Sequence, residues 1–174
     1  MIVAVFAEVP LPGRCLKPLT PYHDEAWLAR LSAAMLRDTL DGLEGVPADR
    51  YVVLADTDDE GRRVLERHLP LPWTFAASIA DLDTSDGFIV ARTHAPSAHL
   101  EPLIAVAAKE SFTVVGEDWL YGERASCKDP RTAEVVVLPP ATIVDSQSAL
   151  DALLDELRRH HERAPRTAHL AMTT

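Results

Sequence analysis

Short, continuously apolar runs alternate along the chain with longer stretches whose apolar residues recur every three or four positions. Residues Ile2–Ala7, IVAVFA, contain no polar side chain, which predicts a strand buried on both faces of a sheet. A turn containing Pro and Gly and carrying Arg14 and Lys17 follows, and a helix is predicted to begin near residues 21–24. Within residues 24–43, Trp27, Leu28, Leu31, Met35, Thr39 and Leu43 fall on one helical face, with Gly42 and Gly45 stopping the helix. A second strand is predicted over residues 51–55, running into Asp56-Thr57-Asp58-Asp59-Glu60. That acidic cluster is read as a helix N-terminus in preference to a metal site: Thr57 or Asp58 would cap a helix over Asp59–His68, whose first turn favours negative charge.

Further strands are predicted over 73–77, 87–91, 112–116 and 134–138, with a polar turn at 81–86 and a helix over 98–110 carrying Leu100, Leu103, Ile104 and Ala107 on one side. Residues 117–130 are irregular, with Trp119, Tyr121, Gly122 and Cys127 among charges, which suits a loop over a site. Pro139-Pro140 breaks the last strand, and Ser146 is expected to cap a final helix to about residue 163 through Leu150, Leu153, Leu154 and Leu157. Residues 164–174 show no apolar stripe and are expected to be a disordered tail. Alternating strands and helices predict an α/β fold, one three-layer domain with a mostly parallel sheet covered by helices on both faces. Loops leaving the strands near Glu8, Asp56, Arg92 and Glu117 would then converge, and any active site would draw on them.

A chain of 174 residues that is 47% hydrophobic fits a single core. No run approaches the length of a membrane-spanning helix and no signal-peptide pattern opens the sequence, so a cytoplasmic location is expected. Cys15 and Cys127 match no metal-ligand spacing and are read as reduced thiols. The formal net charge of −10 argues against nucleic acid and anionic membrane as partners. A small anion remains compatible where cations are concentrated, and Arg14 with Lys17 forms such a pair at a strand-end loop. Cys15 lies between those two cations, so a lowered thiol pKa and a nucleophilic role stand against an inert, partly buried cysteine.

The opening stretch FAEVPLPGRCLKPL resembles the start of a family of glycosyltransferase-A-fold, nucleotide-sugar-transferase-like proteins of the arsenosugar-biosynthesis or radical-SAM-associated type, which begin with a strand and then F-A-K-x-P-x-P-G-R-x-K-T-R-L. Phe6, Ala7, Pro10, Pro12, Gly13, Arg14 and Leu19 match. Leu138-Pro139-Pro140 through Asp145-Ser146 to Leu150 resembles that family's L-P-P-x-x-D-V-D-T-P-E-D-L. The resemblance implies a glycosyltransferase-A-like domain over residues 1–163 and nucleotide contacts from Ala7, Pro12, Gly13, Arg14 and Lys17. A similar N-terminal strand and loop occurs in the guanylyltransferase of deazaflavin cofactor synthesis.

Departures from the pattern fall on charged positions. The loop lysine after F-A is Glu8, and the lysine and arginine of K-T-R fall on Leu16 and Pro18, leaving Lys17 displaced by one place. At the end of the fourth strand the metal-binding aspartate of G-S-D-S-P-D-L corresponds to Thr93, and a hydroxyl is no substitute for a hard anionic ligand. His94, beside it, is a candidate for a softer metal, set against a loop histidine without a ligand role. The family's A-E-D-G-G-Y-Y falls on residues 116–122, which keep Glu117, Asp118 and Tyr121; of the D-V-D pair Asp145 survives and Ile143 takes the first place. The segment between Phe75 and Gly87 is shorter than the family's glycine-rich one.

These departures leave several functions open. One is a transferase moving a glycosyl or nucleotidyl group, with Asp118 and Asp145 as the candidate catalytic and metal-binding carboxylates and Mg²⁺ or Mn²⁺ as the implied cofactor. Another, favoured by the missing carboxylate and loop cations, is a divergent member of reduced or lost activity, a pseudoenzyme acting as a binding or scaffold subunit, as a homodimer or beside an enzyme. The last is a new chemistry using His94, Cys15 or Cys127.

Overall fold

The structure, a computed structural model, describes residues 2–54, 58–70, 72–77, 81–82, 88–94, 96, 112–115, 134–137 and 143–173. Strand β1, Ile2–Ala7, runs between β2, Asp49–Leu54, and β4, Phe88–Arg92, with β3, Thr74–Ala76, beyond β2. All pairings in this β3-β2-β1-β4 sheet are parallel, with Val5 opposite Val52 on one side and Ala91 on the other. Parallel neighbours need a crossover, supplied between β1 and β2 by helix α1, Glu25–Gly42, and between β2 and β3 by helix α2, Asp59–His68. Strands β5, Phe112–Val115, and β6, Glu134–Val137, form a second parallel pair. The α/β class and parallel pairing expected from the sequence are thus observed. The predicted helix over 98–110 and the loop over 117–130 lie outside the described residues, as do Asp118 and Cys127.

The sheet order fixes where a ligand would sit. From β1 the chain steps to β2 and then β3 in one direction, while β4 lies on the opposite side of β1. The carboxyl ends of β1 and β4 therefore flank a topological switch point, the place where open α/β sheets form their ligand-binding crevice.

Burial follows the apolar pattern. Ile2, Val3, Ala4 and Val5 are all buried, so β1 is covered on both faces. Helix α1 is more central than its single predicted face implies. Leu36, Leu40 and Leu43 pack with Val3, Val5, Val52 and Leu54 of the sheet, while Leu28, Leu31 and Met35 pack with Val144, Leu150, Leu153 and Ala168. Its N-cap is Asp24, whose side chain accepts the Trp27 N–H at 2.9 Å. The caps predicted for two other helices are also present. Asp58 accepts the Gly61 N–H of α2 at 2.6 Å, and Ser146 accepts the Ala149 N–H of α3, Gln147–Arg159, at 3.3 Å.

The C-terminal stretch departs from expectation. Residues 164–174 are not a disordered tail: after a 3-10 turn at His161–Arg163, helix α4 spans Pro165–Met172 with Thr167 and Ala168 buried. Ala164 cannot cap it, and Pro165 has no N–H to offer. The cap comes instead from the side chain of Asp38 on α1, fully buried, which accepts the Arg166 N–H at 3.2 Å and the Thr167 N–H and hydroxyl at 2.8 Å each. Arg166 closes the arrangement by pairing with Asp38 and Asp41. Among the described residues no helix is long and apolar enough to cross a membrane.

Removing the Asp38 carboxylate should release α4, because the buried Thr167 donors would have no acceptor, each such group costing about 1–3 kcal/mol. Asp38→Ala is expected to lower unfolding stability by about 2–4 kcal/mol in urea titration and to speed amide exchange in Thr167–Met172 ahead of the sheet. Arg166→Ala, at a half-exposed position, should cost no more than about 1 kcal/mol.

Candidate active site

The loop from Glu8 to Asp24 forms one wall of the switch-point crevice, and its shape is set by a few constraints. Leu11 N–H donates to the Val9 carbonyl at 2.7 Å and Arg14 N–H to the Leu11 carbonyl at 3.0 Å, making successive tight turns. Gly13 has φ +74°, a left-handed conformation that a side chain disfavours, and a Cβ there would lie 3.4 Å from a carboxylate oxygen of Glu25. Leu16 is also left-handed, at φ 48° and ψ 38°, despite its side chain. It is held there by a buried side chain among Leu19, Leu28 and Leu31, and by its N–H, which donates to Glu8 Oε2 at 2.8 Å. The far end of the loop is pinned by His23, stacked on Trp27 with its Nε2 2.8 Å from Gln147 Oε1 of α3.

Strand β4 supplies the other wall. Thr93, the residue standing where the resembled motif has a metal-binding aspartate, is buried, and its N–H donates to the Phe6 carbonyl at 3.2 Å. The next residue, His94, places Nε2 3.2 Å from Glu8 Oε2, a close approach that lacks hydrogen-bond alignment. The His94 carbonyl accepts the Val144 N–H at 2.8 Å, bringing the approach to α3, with exposed Asp145 next in sequence, to the same edge. The Glu8 and His94 side chains are 40% and 25% exposed, with His94 Nε2 itself buried. Burial works to raise the Glu8 carboxyl, but the His94 contact, the Leu16 N–H and the charge of Lys17 together outweigh it and hold the group below its ordinary value.

The predicted residues thus divide. Ala7, Pro12, Gly13, Arg14 and Lys17 line one strand-end loop, and Asp145 and His94 lie on segments joined by a backbone hydrogen bond. Asp118 falls outside the described residues. Arg14 does not stand ready for a phosphate: its Nη1 donates to Asp58 Oδ2 at 2.6 Å, and that contact, followed by the Gly61 N–H, holds the Asp58 carboxyl below its usual range. Gly61 permits this close approach of loop to α2, since a Cβ there would meet Asp58 Oδ1 and Val9 Cγ2, each at 2.9 Å. Cys15 is buried and its Sγ contacts the Leu11 carbonyl. Burial pushes its thiol up to about 11; a hydrogen bond with Ser32 opposes this, and the charge of Glu8 adds to it. Of the two readings of Cys15, the inert buried cysteine agrees with this and the lowered thiol pKa does not, because cationic sequence neighbours do not offset burial. Glu8 is the site residue that sequence reasoning read as a lost cation without assigning it a role. Its signal was the reversed charge itself.

Among the described residues, no three His, Cys, Asp or Glu side chains converge as a metal-binding group. Glu8 is engaged by the Leu16 N–H and faces His94, and Asp145 is an exposed carboxylate beside the segment that binds the His94 carbonyl. The arrangement can hold one anionic oxygen between a backbone N–H and His94, with Lys17 adding long-range charge.

No protein-family model and no curated protein sequence matches the chain. Among solved structures it is similar to a crystal structure described as a "putative nucleotide-diphospho-sugar transferase" from Desulfovibrio desulfuricans G20. The two share 16% sequence identity at a TM-score of 0.74, over 99% of this chain and 94% of that one. At this identity the likeness bears on architecture alone: the chain has a nucleotide-diphospho-sugar transferase-like α/β fold.

Proposed function

We propose that the chain is a divergent nucleotide-sugar transferase-like protein, of the arsenosugar-biosynthesis or radical-SAM-associated type, that takes a nucleoside diphosphate or nucleotide sugar at the β1–β4 crevice and has reduced or lost transfer activity. The observation that carries the reading is the meeting of Glu8 and His94 across the switch point, 3.2 Å apart, where a phosphate-binding loop of this fold would be electropositive. Glycosyl or nucleotidyl transfer leaves negative charge on a departing phosphate oxygen, and rate acceleration depends on positive groups aimed at it. Here Arg14 is paired with Asp58 and His94 with Glu8, so that assistance is weakened. Asp145 is the described carboxylate available for general-base or metal work. A bound Mg²⁺ or Mn²⁺ would supply charge neutralisation at the diphosphate, with Asp118 and Asp145 as the carboxylates proposed to hold it. The same pairing of Arg14 with Asp58 and of His94 with Glu8 favours a second reading, a non-catalytic binding or scaffold subunit acting as a homodimer or beside an enzyme.

Calorimetric titration with nucleoside diphosphates, triphosphates and nucleotide sugars, with and without Mg²⁺ or Mn²⁺, separates the two. Weak binding is expected, with a Kd of about 0.1–1 mM and dependence on the divalent ion that Asp145→Ala removes. No binding across the panel at about a millimolar overturns the nucleotide reading and leaves the scaffold.

Thiol chemistry at Cys15 is disfavoured by its burial and raised pKa. With the thiol at about 11, only about one molecule in a thousand carries the thiolate at pH 8. Alkylation of Cys15 by iodoacetamide at that pH, followed peptide by peptide in a mass spectrometer, should be about a hundredfold or more slower in native than in urea-unfolded protein. Similar rates in both states would restore a nucleophilic role.

A further inference from the structure

We infer that Glu8 is a built-in occupant of the phosphate position in the crevice, an intramolecular carboxylate that an incoming phosphate must displace. The inference rests on the reading that a phosphate-bearing ligand enters at this edge. Its basis is the set of groups around one oxygen. Glu8 Oε2 takes the Leu16 N–H at 2.8 Å and lies 3.2 Å from His94 Nε2, and Lys17 contributes positive charge. A backbone N–H and an imidazole nitrogen, with the charge of a lysine added at longer range, suit a phosphate oxygen at the carboxyl end of a parallel sheet.

The position argues the same way. Glu8 leaves β1 and His94 leaves β4, so their contact spans the switch point. The wall that presents the Leu16 N–H is held by more than Glu8: Gly13 is left-handed, the Leu16 side chain is buried in the core, and Arg14 is tied to Asp58. Removing the carboxylate would therefore leave the donor facing the crevice. The Glu8 side chain is 40% exposed and covers His94 Nε2, which is itself buried, so a ligand reaches that nitrogen only where Glu8 yields. A carboxylate and a phosphate cannot share the same donors, and their like charges repel; the affinity for phosphate is thus set by how readily Glu8 yields.

The test is titration with inorganic pyrophosphate and, separately, with UDP and a nucleotide sugar, at low ionic strength, of the wild type, Glu8→Ala and Glu8→Gln. Glutamine keeps an oxygen for the Leu16 N–H and loses only the charge, so it guards against a collapsed loop. Both variants should bind pyrophosphate at least about tenfold more tightly than the wild type, and adding His94→Ala should remove much of the gain. Variants with wild-type circular dichroism that bind pyrophosphate no more tightly overturn the inference. Should both substitutions unfold the chain, the wild type decides: saturating pyrophosphate is expected to shift the Leu16 amide resonance, and an unmoved resonance overturns the inference. A pyrophosphate gain without binding of any nucleotide or nucleotide sugar supports the occupant and sinks the nucleotide-sugar reading. Tight nucleotide-sugar binding by the wild type, unchanged or weakened on removing Glu8, does the reverse.

Discussion

The two-sided burial of helix α1 is the constraint on which the rest of the structure depends. Its Leu36, Leu40 and Leu43 close the sheet, and its Leu28, Leu31 and Met35 seat α3 and α4, so the helix cannot shift toward either layer without opening the other. Fully burying a leucine contributes about 1.5–3 kcal/mol, which makes these contacts larger than any single polar contact at the loop. Because α1 follows directly from the β1 loop, its placement also fixes the loop. Leu16 and Leu19 anchor in the same cluster as Leu28 and Leu31, and that anchoring holds Leu16 in a left-handed conformation an isolated chain would avoid. The loop therefore takes its geometry from the core as well as from its own hydrogen bonds.

Charge is arranged around this rigid loop with a bias that matches the net charge of −10. Glu25 faces Gly13, Asp58 holds Arg14, and Glu8 takes the Leu16 N–H beside His94. Arg14 and His94 are each met by a carboxylate from a distant segment, which lowers the potential that would otherwise draw an anion to the crevice. The exposed pairs add little to stability, since ion pairs in water are screened and entropically costly. Their effect falls on what the edge can bind.

Legibility in the sequence followed the range of the interaction concerned. Strands β1 and β4 and the caps Asp58 and Ser146 were readable because each depends on residues within one turn or one short run. Helix α4 was not, because the carboxylate capping it is Asp38, 129 positions from Thr167. The second face of α1, through Leu36 and Leu40, was missed for a similar reason: one stripe describes a helix on a surface, and this helix has neighbours on both sides. At the site, Arg14 and Lys17 were legible as cations, but the partner of Arg14 comes from α2. The direction of the Cys15 shift depends on burial, which its charged sequence neighbours obscure. Asp145 was singled out by its motif and follows Val144, whose N–H binds the His94 carbonyl, while Asp118 falls outside the described residues.

The substitutions at the crevice are better understood as a coupled set than as separate losses. In the motifs the chain resembles, a lysine leaves the first strand and an aspartate ends the fourth. Here Glu8 leaves β1, and Thr93-His94 ends β4. Glu8 on the β1 side of the switch point and His94 on the β4 side face each other at 3.2 Å. An aspartate at residue 93 would bring a carboxylate to a position that is buried and bonded through its backbone to Phe6. An unpaired charge there would be costly to desolvate. A neutral side chain at Thr93 avoids that cost and leaves His94 as the group at the end of β4 that faces Glu8.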